Sequence, residues 1–291
     1  MRAKYLSFIL SLLFLSADVT GAETAGQVKG QGRFVYIQIS AGNGSLQTIP
    51  CDIYIPHGKK STAECAASLL VLPGWKFHRS RWYNETRLLA FADKYGFCCV
   101  FPEMGGSCYE SEYFPETRMK WAATPGGAWV RGALIPFLQA GAGLFKPSGR
   151  NFLLGLSTGA RGVALVSLQN PGVFTAGAAL SGDYNQAAMP KDNLMTALYG
   201  SYAKRSARWQ TTDNPYAEAA AGRWRMPIYI GHGKRDTVSP FAQSRDFAAL
   251  IAVKCPSLPV VFHADETAGH DFTYWDSELS AVFTFFASQM K

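Results

Sequence analysis

No stretch of the 291-residue chain stays apolar for the roughly 20 residues that a membrane-spanning helix needs, so stable membrane insertion is not expected. There is no Cys-x-x-Cys pair, which argues against zinc ribbons and thioredoxin-like redox chemistry. Long polar segments of low complexity are missing, as are internal repeats and a recognisable linker, so a disordered tail or a second domain is not expected. Dense basic clusters are lacking too. The tightest group is Lys204, Arg205 and Arg208, with Arg223 and Arg225 further on. A formal charge of +7 spread this thinly makes a poor nucleic-acid footprint and no such partner is expected, although it suits acidic substrates or an anionic envelope.

What is present begins with an export pattern. Arg2 and Lys4 precede a short apolar run at 5–16, and Thr20-Gly21-Ala22 supplies small residues for cleavage. This predicts a signal peptide over 1–22 and a mature domain over 23–291, secreted or periplasmic. Six cysteines then remain (Cys51, Cys65, Cys98, Cys99, Cys108, Cys255). An even number in an exported chain predicts at least one disulfide, with the connectivity open. Cys98 and Cys99 sit in a strand-like run and should point to opposite faces.

The chain alternates strand-like and helix-like segments. Residues 32–39 and 51–56 read as an opening antiparallel pair. Short runs apolar on both faces follow at 68–72, 97–101, 151–155, 176–180, 227–231 and 259–263, as strands buried in a parallel sheet require. Helical spacing appears at 81–95, 128–140, 159–169, 240–253 and 273–289. The pattern predicts an α/β fold with a mostly parallel twisted sheet and helices on both faces. The interval 184–225 breaks the rhythm. It is too long for a structureless loop and reads as a helical insertion or cap.

One motif carries chemistry: Gly155-Leu156-Ser157-Thr158-Gly159, the only G-x-S-x-G in the chain, lying between an apolar strand and a helix-compatible run. In a nucleophile elbow the tight strand-to-helix turn strains the serine and projects it above the sheet, and flanking glycines let the backbone fold that sharply. The helix N-terminus there favours developing negative charge.

A serine needs a base. Of five histidines, only His270 follows the last strand and precedes the terminal helix. His232, ending a strand, reads as structural, and His78 lies near the carboxyl edge of the sheet, where it could touch substrate. The base needs an orienting carboxylate. Asp236 follows the strand at 227–231 and gives the chain order Ser157, Asp236, His270; Asp183 is the rival, after the preceding strand. An oxyanion hole needs two backbone N–H groups. Thr158 supplies one. Pro73 has no N–H, so the other falls to Gly74 or Trp75, with Trp75 favoured. His263, Asp265, Glu266 and His270 match no metal-binding spacing, so no metal is expected. Aromatics at Tyr109, Tyr113, Phe114, Trp121, Tyr199, Tyr202 and Trp209 suggest that 184–225 and 103–127 wall an acyl pocket, with Gly74, His78, Tyr199 and Trp209 as substrate contacts.

Taken together, Gly155 to Gly159, Leu180-Ser181-Gly182-Asp183-Tyr184, His232-Gly233 with Asp236, and His270-Asp271-Phe272-Thr273-Tyr274-Trp275 resemble the α/β-hydrolase superfamily over roughly residues 50–290. More narrowly the chain is similar to esterase D-like serine esterases, the group of S-formylglutathione hydrolases, feruloyl esterases and mycolyltransferase-like proteins. Thr158 and the Pro73-Gly74-Trp75 loop depart from what is common there. The resemblance implies a carboxylic ester hydrolase that needs no cofactor and acts through an acyl-enzyme on a small-molecule, glycan or lipid ester. Two other readings are a serine peptidase or acyltransferase on the same fold, and a non-catalytic binding protein. Oligomeric state is not legible.

Overall fold

The computed structural model describes residues 30–42, 46–118 and 125–290. The signal peptide expected at 1–22 and Trp121 lie outside the described residues.

Eight strands form one sheet: β1 (Arg33–Ser40), β2 (Thr48–Ile55), β3 (Ala67–Leu72), β4 (Phe97–Pro102), β5 (Asn151–Leu156), β6 (Ala176–Leu180), β7 (Ile228–Gly233) and β8 (Val260–Asp265). Their spatial order is β1-β2-β4-β3-β5-β6-β7-β8. β1–β2 and β2–β4 pair antiparallel and the other neighbours pair parallel. β3 to β7 are buried at every residue, which is why each reads as a continuous apolar run rather than an alternation.

Helices cover both faces. They are α1 (Arg81–Glu85), α2 (Leu88–Tyr95), α3 (Gly126–Trp129), α4 (Ile135–Phe137), α5 (Thr158–Gln169), α6 (Asn193–Tyr199), α7 (Tyr202–Thr211), α8 (Pro215–Ala220), α9 (Phe241–Lys254) and α10 (Phe272–Ser288). Successive strand residues serve two different cores. Leu70, Leu72, Val100 and Leu153 pack with α5 and α9, whereas Leu69, Val71, Phe101 and Leu154 pack with α2 and α10.

Two helical expectations are modified. The helix expected over 81–95 is broken at Thr86, whose backbone is extended. Its hydroxyl donates to the carbonyl of Trp82 at 2.5 Å and accepts from the N–H of Leu88 at 3.2 Å, so one side chain ends α1 and starts α2. The helix expected over 128–140 carries π-helical turns at Val130–Leu134 and Leu138–Ala142, around α4 with its Pro136. A proline removes one backbone donor, and a π-turn is one way to absorb that loss. Between β6 and β7 the chain forms a short 3-10 turn (Gln186–Ala188), then α6, α7 and α8. Among the described residues no helix is long and apolar enough to cross a membrane.

No two cysteines are joined in the structure. Cys98 belongs to one core and Cys99 to the other, on opposite faces of β4. Cys65, just before β3, brings its sulfur to 2.8 Å from that of Cys98, and this is the only thiol pair in hydrogen-bond contact among the described residues. If the exported protein holds a disulfide, this pair closes it. The bond would span 33 residues of sequence, a loop for which chain entropy gives a stabilisation of about 3–4 kcal/mol. Mass spectrometry of protein isolated from an oxidising compartment is expected to recover a Cys65–Cys98 peptide and four alkylated thiols (Cys51, Cys99, Cys108, Cys255). Six alkylated thiols, or a different pair, would refute it.

Candidate active site

Ser157 sits between β5 and α5 with φ 56° and ψ −125°, in the sterically costly region for a residue with a side chain. The glycines around it are required by contact. A Cβ on Gly155 would lie 2.2 Å from the carbonyl oxygen of Gly159, and one on Gly159 would lie 2.3 Å from that of Leu72. The backbone therefore closes a turn that only glycine permits at both positions. The N–H of Ser157 donates to the carbonyl of Leu180 at 2.9 Å, which ties the elbow to β6.

His270 arrives on the loop between β8 and α10. Its Nε2 lies 2.9 Å from Ser157 Oγ and its Nδ1 lies 2.6 Å from Asp236 Oδ2. The ring packs edge-on against Trp275, centroids 5.1 Å apart, and Trp275 donates its indole N–H to Ser181 Oγ at 3.1 Å. Asp271 caps α10 by accepting from the N–H of Tyr274, which fixes the loop one residue beyond His270. The structure thus brings Ser157, His270 and Asp236 together.

Asp236 is fully supplied with donors. Oδ1 accepts from the N–H groups of Val238 and Ser239, each at 2.8 Å. Oδ2 accepts from His270 and faces Nε2 of His232 at 3.1 Å. Burial opposes the charge on this carboxylate, but the hydrogen bonds from His232, His270 and Ser239 outweigh it and hold its pKa below the usual aspartate range. Asp236 is therefore an anion near neutral pH.

His232, read from sequence as structural, is a neighbour of this acid. Its ring is completely buried. Nε2 faces two acceptors, Asp236 Oδ2 and the carbonyl of Ser239, and so carries a proton. Nδ1 lies 2.7 Å from Ser244 Oγ on α9. The available signal was a histidine inside an otherwise apolar buried strand, four residues before an aspartate.

On the other side of Ser157, the loop after β3 comes close. A Cβ on Gly74 would lie 3.3 Å from Ser157 Cβ. The loop is held by the bond from Lys76 N–H to the carbonyl of Gly105 at 2.8 Å, and by Tyr109, whose hydroxyl donates to the carbonyl of Pro73 at 2.8 Å. Trp75 and Thr158 both border a cavity of about 530 Å³ that opens beside Ser157.

That cavity corrects the expected pocket. Its apolar wall is made by Trp75, Met189, Leu194, Met195, Val238 and Pro240. Tyr199 and Trp209 do not border it. Both are fully buried and form, with Cys108, Met195 and Leu198, a small separate core between the insertion and the segment after β4. Their rings pack edge-on with Phe114 and Tyr202, so the aromatic residues pin 184–225 to the domain. The described part of 103–127 does not border the cavity either. Tyr109 braces the loop after β3 instead, and Arg208 stacks on Phe114 at 3.6 Å. His78 also lies apart: it is more than half exposed, with its ring nitrogens at Ser80 and Glu103.

A family model described as "Putative esterase" matches residues 108–286, more than half of the chain. No curated protein matches it by sequence. Solved structures do. An S-formylglutathione hydrolase from Agrobacterium tumefaciens superposes with a TM-score of 0.73 at 15% identity, covering 91% of this chain and 98% of that one. Mycobacterium tuberculosis MPT51 gives 0.69 at 13% identity over 88% and 99%. A fluorophosphonate-binding serine hydrolase of Staphylococcus aureus gives 0.68 at 16% identity over 90% and 100%. At such identities the likeness is one of fold, and the fold is that of the α/β-hydrolases.

Four substitutions test this geometry. Asp236→Asn should fold and lower kcat by about 10⁴, the loss a comparable change brings in a serine protease by favouring the wrong imidazole tautomer. An Asp236→Asn enzyme within tenfold of wild type would remove Asp236 from the base's support. Tyr199→Ala and Trp209→Ala should lower the melting temperature and depress turnover of short and long esters alike, since neither ring borders the cavity, at a cost of about 3–5 kcal/mol for a buried aromatic. Leu194→Ala, on the cavity wall, should instead shift the ratio of long-chain to short-chain turnover. A ratio changed by Trp209→Ala and not by Leu194→Ala would reverse the assignment.

Proposed function

The chain belongs to the Esterase family; from that premise we propose that it is a serine hydrolase, which hydrolyses a carboxylic ester through a Ser157–His270–Asp236 triad and an acyl-enzyme intermediate. The observation that carries this reading is the unbroken hydrogen-bonded line from Ser157 Oγ through His270 to Asp236, at 2.9 and 2.6 Å, with the serine held in a strained elbow.

The mechanism follows from those positions. Nδ1 of His270 faces a carboxylate and carries the ring proton, so Nε2 is free to accept the proton of Ser157 Oγ. The oxygen attacks the ester carbonyl as that proton moves to Nε2. Asp236, kept anionic by its four donors, stabilises the imidazolium that forms. The negative charge on the tetrahedral carbonyl oxygen is met by the N–H groups of Thr158 and Trp75. Thr158 is the first residue of α5, where no earlier turn can accept its N–H. Imidazolium Nε2 then gives its proton to the departing alcohol, and the alcohol's bond to the carbonyl carbon breaks. Water repeats the sequence with His270 as base and releases the acid. The chemistry draws on no cofactor. The amino-terminal pattern at 1–22 supports export, which would put the ester in the periplasm or outside the cell.

Activity-based labelling tests the proposal. A fluorophosphonate probe should modify one residue, Ser157, and Ser157→Ala should abolish both labelling and turnover of p-nitrophenyl acetate or butyrate. Labelling at another serine, or full turnover by Ser157→Ala, would sink it.

A further inference from the structure

Asp183 is the acidic residue that the triad leaves over. It follows β6 and borders the same 530 Å³ cavity as Ser157. Trp75 and Thr158 border that cavity, whereas His270, which returns its proton to the departing alcohol in the mechanism proposed above, does not. On that mechanism the cavity takes the acid part of the ester.

The carboxylate is poorly provided for. Only 13% of the Asp183 side chain is exposed, and its one side-chain partner is Nη1 of Arg161, at a long 3.3 Å. Arg161 is completely buried and its guanidinium is shared. Nη2 donates to Gln186 Oε1 at 2.9 Å and to the carbonyl of Asp213 at 2.5 Å, and lies 3.4 Å from the hydroxyl of Tyr199. Burial pushes the Asp183 carboxyl up from the ordinary aspartate range, against the pull of Arg161. Beside it on the cavity border, Thr158 is buried and its hydroxyl has no partner in the protein. Buried polar groups of this kind cost free energy until something pairs with them. The other acid on the border, Asp192, is already used: Oδ1 accepts from Met195 N–H and caps α6.

We propose that Asp183 is a specificity-determining residue whose carboxylate accepts a hydrogen bond from a hydroxyl on the acyl chain, so that the enzyme prefers esters of hydroxylated acids to those of plain aliphatic acids. This rests on the esterase reading above. A neutral hydroxyl fits better than an ammonium, because Arg161 already pairs with Asp183, and a hydroxyl adds no further ion to desolvate. The apolar wall of Leu194, Met195 and Val238 takes the carbon skeleton.

The experiment compares kcat/KM for p-nitrophenyl 3-hydroxybutyrate, butyrate and 4-aminobutyrate. Wild type should favour the hydroxybutyrate over butyrate by about ten- to a hundredfold, the usual worth of a hydrogen bond to a charged group. Asp183→Asn should cut that preference severalfold or more. Because the substitution also touches Arg161, the double variant Asp183→Leu/Arg161→Met serves as the second arm. It removes both charges together, which buried pairs often tolerate, and should bring the two esters to parity. A merely structural role would lower both rates and leave their ratio alone. Equal wild-type rates, a ratio unmoved in both variants, or a preference for the aminobutyrate would each overturn the role of Asp183 and leave the esterase reading intact. No turnover of any ester and no fluorophosphonate labelling would overturn both.

Discussion

Everything at the active site hangs on a close approach of backbone to backbone at the end of β5. Gly155 and Gly159 touch across the elbow, and Gly159 also abuts the end of β3. No side chain fits at either contact, so β3, β5 and α5 meet at one rigid point. Ser157 is left with a left-handed backbone that costs about 1–3 kcal/mol on its own. The surrounding packing supplies that energy. α5 is buried along most of its length, and the strands beneath it are buried throughout. In the reading proposed above, Ser157 needs a base and a second N–H donor brought to it, and these come from the ends of β8 and β3.

Those pieces are set by independent means. His270 is positioned by the cap of α10 and the face of Trp275. Asp236 is positioned by two backbone N–H groups and by His232. The loop after β3 is positioned by Tyr109 and Gly105. Tyr109 does this while lying so close over α5 that a Cβ on Gly162 would come within 2.7 Å of its ring, so the loop after β3 and α5 share a brace.

The sheet was readable from sequence because buried parallel strands must be apolar at every position, and the five runs that became β3 to β7 stand out against the polar stretches between them; the sixth run became the partly exposed edge strand β8. The meeting of Ser157, Asp236 and His270 was readable because the proposed roles would fix both residue type and place relative to strand ends. The cavity wall was not. Tyr199 and Trp209 are large aromatic residues in a polar interval, and that pattern suits either a substrate wall or a buried anchor. Only the tertiary arrangement, which turns them toward Phe114 and Cys108, decides between the two. The break at Thr86 was hidden for a related reason: a threonine hydroxyl can compete with helical bonds, but whether it does depends on Trp82 being locked beneath β3. His232 was read only as structural because its one signal, a histidine in an apolar strand four residues before an aspartate, does not by itself tell a structural imidazole from one that braces an acid.

The division of labour around Ser157 has an evolutionary side. The groups proposed to move protons stand at the ends of β5, β7 and β8, whereas much of the cavity wall is built from the segment between β6 and β7, folded around an aromatic core of its own. Residues 189–195 can thus drift, lengthen or be exchanged while the hydrogen-bonded line through His270 keeps its spacing. A lineage carrying this architecture can explore new esters by rewriting one surface segment, with the reaction itself held constant as an inherited module.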